Sequence, residues 1–366
     1  MIQYLKLGTL TRIKTGKLDA NAASDNGKYP FFTCSKEPLA IDSYSYDCEC
    51  VLVAGNGDLN VKYYNGQFDA YQRTYIIESL DKEKLMVKYL YCFLDLYVET
   101  LRQQAIGGVI KYIKLGNLTE AVIPIPPLEK QQEIVDVLEK CNGTIEYRRQ
   151  ELELLDQLVK SRFIEMFGGI HDSKMYPYKA VKELTEVISG GTPSRDVSEY
   201  WEEGTIPWVK TTELQNNIIT EVEEYITEQG LNNSSAKIVP SGTVLIAMYG
   251  QGKTRGMTAY LGIEACTNQA CACILPSDRI NQTFLWQYFV LSYENLRDMA
   301  KGGNQPNLNG NMIKNYSVIC PPRELQEQFA AFVEQTDKSK FYIVQTQKII
   351  ELLIRAIQYK TKEVLL

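Results

Sequence analysis

Most of this chain is written twice, and that limits its folding more than any other feature. "IGGVIKYIKLGNLTEAVIPIPPLEKQQEIVDVLEK" (residues 106–140) aligns without a gap with "KGGNQPNLNGNMIKNYSVICPPRELQEQFAAFVEQ" (residues 301–335). Gly107-Gly108 meets Gly302-Gly303, Pro126-Pro127 meets Pro321-Pro322, Glu129 meets Glu324, and Gln131 meets Gln326. Upstream the order recurs across insertions: "LTRIKTG" (10–16) with "LTEVISG" (184–190), "KYPFF" (28–32) with "TIPWV" (205–209), "VLVAGNG" (51–57) with "VLIAMYG" (244–250). A chain of 366 residues, 45% of them apolar, can bury one core in each half, so two related domains are expected.

Each half reads as short β-rich segments and turns, then an apolar strand, a Pro-Pro break and a long helix. The first helix, about Leu128 to Phe167, carries an apolar stripe through Leu138, Cys141, Ile145, Leu152, Leu155, Val159 and Met166, interrupted by Arg148 and Arg162. The second, about Arg323 to Val364, carries Phe329, Phe332, Val333, Ile343, Ile350, Ile354 and Ile357. Pro127 and Pro322 stand where proline is tolerated, at or just ahead of the first turn. At 1.5 Å per residue each helix is roughly 60 Å long, more than one small domain can cover, so the two are expected to pair as an antiparallel coiled coil. The expected fold class is α+β: two homologous α/β domains, residues 1–127 and 170–321, joined and spaced by helices at 128–169 and 322–366, with a pseudo-twofold internal repeat. Such an axis matches the backbone symmetry of duplex DNA and suits a protein that addresses two separate half-sites.

Several function classes fall away. No stretch of about 18 apolar residues exists, and "MIQYLKLGTL" is too polar for a signal peptide, so no membrane partner is expected and the cytoplasm is the expected location. Nine cysteines without an export signal read as reduced, buried thiols; Cys48/Cys50 and Cys271/Cys273 are spaced as same-face strand neighbours, and no metal site is expected. His171, the single histidine, lies in a linker-like stretch and leaves little room for nucleophile–histidine schemes. "GTVLIAMYGQGKTRG" (242–256) fits the loose phosphate-binding pattern from Ala247 to Thr254 and raises the alternative of a nucleotide hydrolase using Lys253 and Thr254. Its flanks point elsewhere: "RGMTAYLGIEAC" alternates like a strand, with Gly256 and Gly262 breaking any helix.

"SGGTPSRDVSEYWEEGTIPWVKTTEL" (189–214), "GQGKTRG" with "CTNQACACIL" (266–275), and the doubled "PPLEKQQEI" and "PPRELQEQF" resemble the DNA-specificity subunit of type I restriction-modification systems over nearly the whole chain. The first half departs from the pattern, with "TGKLDANAAS" (15–24) for "GGTPS" and "AYQRTY" (70–75) for "TNQACA". The resemblance implies two target-recognition domains that bind double-stranded DNA at a bipartite target, and a chain that performs no chemistry itself. It implies partners, namely two methyltransferase subunits and restriction/translocase subunits, which would carry the S-adenosylmethionine, ATP and magnesium; no cofactor is expected on this chain. Alternatives are a specificity chain of another restriction class, serving a fused methyltransferase-nuclease, and a coiled-coil adaptor that does not touch DNA. The charged helix faces near the Pro-Pro junctions, such as Glu129, Lys130, Glu133, Glu324 and Glu327, are where a docked subunit would be sought.

With a net charge of −6, DNA contacts must come from local clusters. Specific readout needs bidentate donors, Arg for guanine and Asn or Gln for adenine, while Lys, Ser, Thr and backbone N–H groups mostly hold phosphates. The second domain offers Thr192, Ser194, Arg195, Lys210, Thr211, Gln251, Lys253, Arg255, Asn268 and Gln269, with Asn304 and Gln305 in "GGNQPNLNG". By repeat position the first domain offers Lys14, Lys17, Thr33, Lys36, Asn56, Asn60, Lys62, Gln72 and Arg73. The paired glycines 107–108 and 302–303 suggest a backbone need such as a positive φ.

Overall fold

A computed structural model describes residues 2–250, 252–300 and 307–363, and of 358–363 only the backbone. The chain divides into two compact units, unit 1 (residues 1–150 and 344–366) and unit 2 (residues 151–343). Unit 1 runs β1 (Gln3–Lys6), α1 (Leu7–Leu10), β2 (Thr11–Thr15), β3 (Tyr29–Phe32), β4 (Leu39–Ile41), β5 (Tyr46–Ala54), β6 (Val61–Ala70), β7 (Thr74–Ser79), α2 (Val87–Gln104), α3 (Leu115–Thr119), β8 (Val122–Ile125) and the start of α4 (Leu128–Phe167). Unit 2 takes the end of α4 and continues with β9 (Tyr178–Ala180), α5 (Val181–Leu184), β10 (Val187–Ser189), β11 (Ile206–Val209), β12 (Asn217–Ile219), β13 (Glu224–Ile226), α6 (Glu228–Asn232), β14 (Val244–Ala247), β15 (Thr258–Leu261), β16 (Cys266–Thr267) and β17 (Cys271–Ile274). It closes with α7 (Gln282–Leu291), α8 (Tyr293–Met299), α9 (Gly310–Lys314), β18 (Ser317–Ile319) and the first half of α10 (Arg323–Glu363). The division runs through both long helices, whereas the sequence places domain ends at their termini; helix residues such as Val135 and Phe163 are part of the unit cores.

The repeat is kept at the level of hydrogen-bonded register. In unit 1 Val51, Leu52, Val53 and Ala54 of β5 pair with Ile77, Ile76, Tyr75 and Thr74 of β7. In unit 2 Val244, Leu245, Ile246 and Ala247 of β14 pair with Ile274, Cys273, Ala272 and Cys271 of β17, rung for rung. Runs of Val, Leu, Ile and Ala without polar alternation form these strands because both faces of the sheet are covered, and these four residues are buried in β5 and in β14 alike. The flanking pairs repeat as well: β2 on β7 matches β10 on β17, and β3 antiparallel to β4 but parallel to β6 matches β11 antiparallel to β13 but parallel to β16. In unit 1 the strands that carry these pairs form one six-stranded sheet, beside the two-stranded sheet of β1 and β8; in unit 2 the counterpart of the long β6 is broken into β15 and β16, and with β12 added alongside β15 the strands divide into a five-stranded and a three-stranded sheet.

A buried glutamine joins helix to domain in each half. Gln131 is 0% exposed. Its Oε1 accepts the N–H of Met86 at the start of α2 (3.0 Å), and its Nε2 donates to the carbonyls of Lys84 (2.8 Å) and Pro126 (2.9 Å). Gln326 repeats this, accepting from the N–H of Asn281 at the start of α7 (2.8 Å) and donating to the Pro321 carbonyl (2.8 Å). Helix starts and Pro-Pro breaks leave main-chain groups unpaired, and one carboxamide satisfies both kinds.

Within unit 2 the two long helices run antiparallel. Phe163 meets Phe329 edge-on at 5.4 Å, the Arg162 guanidinium lies over the Phe332 ring, and Lys340 bridges to Asp156 at 2.6 Å. The stripe read from sequence is the packed one: Leu138, Ile145 and Val159 of α4 and Phe329, Val333 and Ile343 of α10 are buried. No helix among the described residues is long and apolar enough to cross a membrane.

Replacing Gln131 by Leu fills the space but strands Met86 N–H and two carbonyls, at a cost of about 1–3 kcal/mol for each buried group left unpaired. Thermal unfolding is expected to show a lowered midpoint for Gln131→Leu and for Gln326→Leu; midpoints equal to the wild type would mean that the glutamines do not hold these junctions.

Candidate nucleic-acid interface

In unit 1 the turn between β6 and β7 is held from three sides. Gly55 N–H donates to the Arg73 carbonyl (2.8 Å), Gln72 N–H to the Leu18 carbonyl (2.9 Å), and Gly16 N–H to the Thr74 carbonyl (3.1 Å). A Cβ on Gly55 would lie 2.3 Å from the Arg73 carbonyl oxygen, so glycine is required for this approach. Around the turn opens a cleft of about 290 Å³ lined by Thr15, Gly55, Gln72, Arg73, Tyr75 and Ile113. Tyr75 donates its hydroxyl to the Ile113 carbonyl (3.2 Å), and burial pushes its pKa up, against the opposing pull of Arg73. Gln72 and Arg73 are exposed.

The other candidates of this unit sit in varied surroundings. Lys14 lies 2.7 Å from a Glu78 oxygen, an ion pair outside hydrogen-bond geometry, and 4.9 Å from the Tyr46 ring centre. Lys17 is exposed, and Thr33 is buried, its hydroxyl accepting from Ser35 N–H (3.2 Å). Lys36 reaches Asp58 at 4.0 Å. Asn60 donates to the carbonyls of Cys34 and Asp58 and accepts from Lys62, whose pKa is lowered by burial. Asn56 bridges to Tyr112 on a neighbouring segment. Thr33 thus serves its own loop and Asn60 ties its loop to that of Cys34, while Gln72 and Arg73 share one opening.

Unit 2 has the equivalent turn between β16 and β17. Asn268 N–H donates to the Val209 carbonyl (3.1 Å), while its side-chain Oδ1 is buried without a hydrogen-bond partner. Gln269 is exposed and tied to the Thr192 hydroxyl. Arg195, Lys210 and their surroundings form a second cluster. The Arg195 guanidinium lies 3.6 Å from the Trp201 ring centre and 4.9 Å from that of Trp208, and pairs with Glu224 at 2.5 Å. Lys210 pairs with Glu223 (2.7 Å) and Glu224 (2.9 Å). Burial works against the Glu224 carboxylate, but hydrogen bonds from Lys210 and Arg195 outweigh it and hold its pKa below the ordinary value. Ser194 is exposed and its carbonyl accepts from the Trp201 indole (3.0 Å); Thr211 opens a short 3₁₀ turn. Sequence reasoning missed Trp201 and Glu224: nothing local marks them, and it is the register of β11 against β13, Trp208 opposite Glu224, that brings the carboxylate to Arg195.

The phosphate-loop pattern at 247–254 is a hairpin loop. It connects β14 to its antiparallel neighbour β15, and Thr254 is followed by a turn and then that strand, where a nucleotide loop would open a helix. Gly250, Gly252 and Gly256 take positive φ, and α8 holds the loop from behind: Tyr293 donates to the Lys253 carbonyl (2.7 Å), Arg297 to those of Gly252 (2.9 Å) and Arg255 (3.1 Å). Lys253 is exposed and Arg255 half-buried. Gln251, Asn304 and Gln305, and the glycines 302–303, lie outside the described residues, whereas Gly107 has φ +121°.

A family model for the "Type I restriction modification DNA specificity domain" matches residues 2–157 and 174–353. The specificity subunit of the type I restriction enzyme EcoDI from Escherichia coli is 37% identical over 156 residues, 43% of this chain and 34% of that subunit, so the chain spans about a third of its length. The EcoR124I/EcoR124II specificity subunit, also from E. coli, is 24% identical over 298 residues, covering 79% of this chain and 71% of that one. The crystal structure of a type I restriction-modification S subunit from M. genitalium has a TM-score of 0.64 at 17% identity, over 99% of this chain and 96% of that one. A structure described as showing complex assembly and conformational transition of the type I R-M system has a TM-score of 0.56 at 18% identity, over 98% and 97%.

The Glu224 cluster makes the acid response of unit 2 predictable. A carboxylate with a depressed folded pKa stabilises above its unfolded value, and that contribution fades as pH falls through the folded value, below the ordinary 4.5. Tryptophan fluorescence, followed downward from pH 5, is expected to report release of Trp201 and Trp208 in the wild type; Glu224→Gln is expected to lose this acid step, and its persistence would assign the step to another group.

Proposed function

The chain belongs to the family of type I restriction-modification DNA-specificity domains, whose role is recognition of DNA sequence, and on that premise we propose that it reads a bipartite target. Residues 1–127 read one element and residues 170–321 the other, while α4 and α10 set the unread gap. The observation that carries this reading is the rung-for-rung identity of the β5–β7 and β14–β17 ladders beneath turns of different composition, "AYQRT" in one and "TNQAC" in the other. Two copies of one frame with different tips suit two readings on one duplex.

The chain performs no chemistry in this proposal. It brings two methyltransferase subunits and the restriction/translocase subunits to the target, and S-adenosylmethionine, ATP and magnesium reside on those partners, in the cytoplasm. The likeness in fold to a structure described by its complex assembly supports the existence of such partners. Gln72, Arg73, Asn268 and Gln269 lie in homologous turns and are proposed to face bases; Lys17 and Lys253, each an exposed cation on a loop of its own unit, are proposed to hold phosphates.

Two outcomes follow, both read by sequencing methylated bases in a host that carries the whole system. Exchanging residues 1–127 for those of a relative is expected to change one half of the methylated motif and leave the other intact; a change in both halves, or in neither, would overturn the two-reader proposal. Inserting four residues into each long helix, about 6 Å of added length, is expected to widen the gap and leave both half-sites unaltered.

A further inference from the structure

We propose that Arg73 reads a guanine in the half-site assigned to residues 1–127, and that the homologous turn of unit 2 makes no such contact. This deepens the bipartite reading above and rests on it. The register sets the comparison: Thr74 opposite Ala54 matches Cys271 opposite Ala247, so Gln72 corresponds to Gln269 and Arg73 to Ala270. The two turns share the glutamine and differ in the guanidinium.

Several other cations of unit 1 are engaged. Lys14 is paired with Glu78, Lys36 with Asp58, and Lys62 is set against Asn60 in a half-buried position; Arg102, on α2, is divided between Asp58 and Glu99. Among the described residues the Arg73 side chain makes no ion pair or hydrogen bond, and no carboxylate lines its cleft. Leaving a guanidinium unanswered in a concave place costs nothing only while water fills it, and a ligand with two parallel acceptors fits its planar fork better than a single charge does. Guanine O6 and N7 are such a pair in the major groove. Base readout also needs a fixed direction, which flexible surface lysines lack; here the hydrogen bonds on Gln72, Arg73 and Thr74 hold the main chain on both sides of the side chain. In unit 2 Ala270 offers no donor, and Gln269 is already held by Thr192.

The test uses the complete system, with the full chain and its modification subunits, and methylated motifs mapped by sequencing for the wild type, Arg73→Ala, Arg73→Gln and Ala270→Arg. The first half-site of the wild type is expected to contain a fixed guanine. Preference for it is expected to fall roughly ten- to a hundredfold in Arg73→Ala, with the second half-site unchanged; in Arg73→Gln it is expected to broaden toward adenine, and in Ala270→Arg the second half-site is expected to gain a preference for guanine. A first half-site without guanine, or an even loss of methylation with the motif intact in both Arg73 variants, which is the signature of a phosphate contact, would overturn the assignment. Arg73→Gln keeps a polar side chain on the exposed turn and carries the test should Arg73→Ala fold poorly. Failure of the bipartite reading itself shows separately, when exchange of residues 1–127 leaves the first half-site as it was.

Discussion

The carboxamide of one buried glutamine in each half determines how the rest of the chain is assembled. Gln131 and Gln326 tie the first turn of a long helix to the start of the helix that covers the sheet, and to the proline carbonyl at the break between strand and helix. Without that bond, burial of the helix start would leave donors and acceptors unpaired, at a cost comparable to a sizeable part of a domain's net stability. With it, the helix leaves the domain in one direction, and the apolar stripes of α4 and α10 can be aligned over many turns.

Above that junction each unit separates frame from tip. The frame is a ladder of main-chain hydrogen bonds between buried aliphatic strands, indifferent to what the intervening turns carry. The tips, between β6 and β7 and between β16 and β17, are anchored by backbone bonds and leave Gln72, Arg73 and Gln269 exposed. The cluster of Arg195 and Lys210 follows a different logic: Arg195 lies over Trp201 and Trp208 and pairs with Glu224, Lys210 pairs with Glu223 and Glu224, and the two cations are thereby spent on the three-stranded sheet of unit 2. A cation counted from sequence is thus one of two things, a free donor or half of an ion pair, and only the fold distinguishes them.

Much of the frame was legible because it depends on local signals. The Pro-Pro pairs and the apolar stripe give the long helix as Leu128–Phe167, and the paired cysteines fall on β5 and β17 as expected. The nucleotide-loop resemblance dissolves on its flanks in sequence and in structure alike. What was illegible depends on partners far apart in the chain: the cleft walls Thr15, Gly55, Tyr75 and Ile113 come from four segments, and Glu224 reaches Arg195 only through strand register. The break of β6's counterpart into two strands, which divides the sheet of unit 2, has no counterpart signal in the repeat.

The junction glutamines also decide what such a chain can exchange with its relatives. Gln131 lies four residues past the boundary at 127, on the helix side, while all three groups it satisfies, Met86 N–H and the carbonyls of Lys84 and Pro126, lie on the domain side. An incoming domain need not resemble the old one in its loops, its surface or its target. It must present one N–H and two carbonyls where a waiting carboxamide can meet them, so inheritance of a new reader reduces to the compatibility of a three-atom connector.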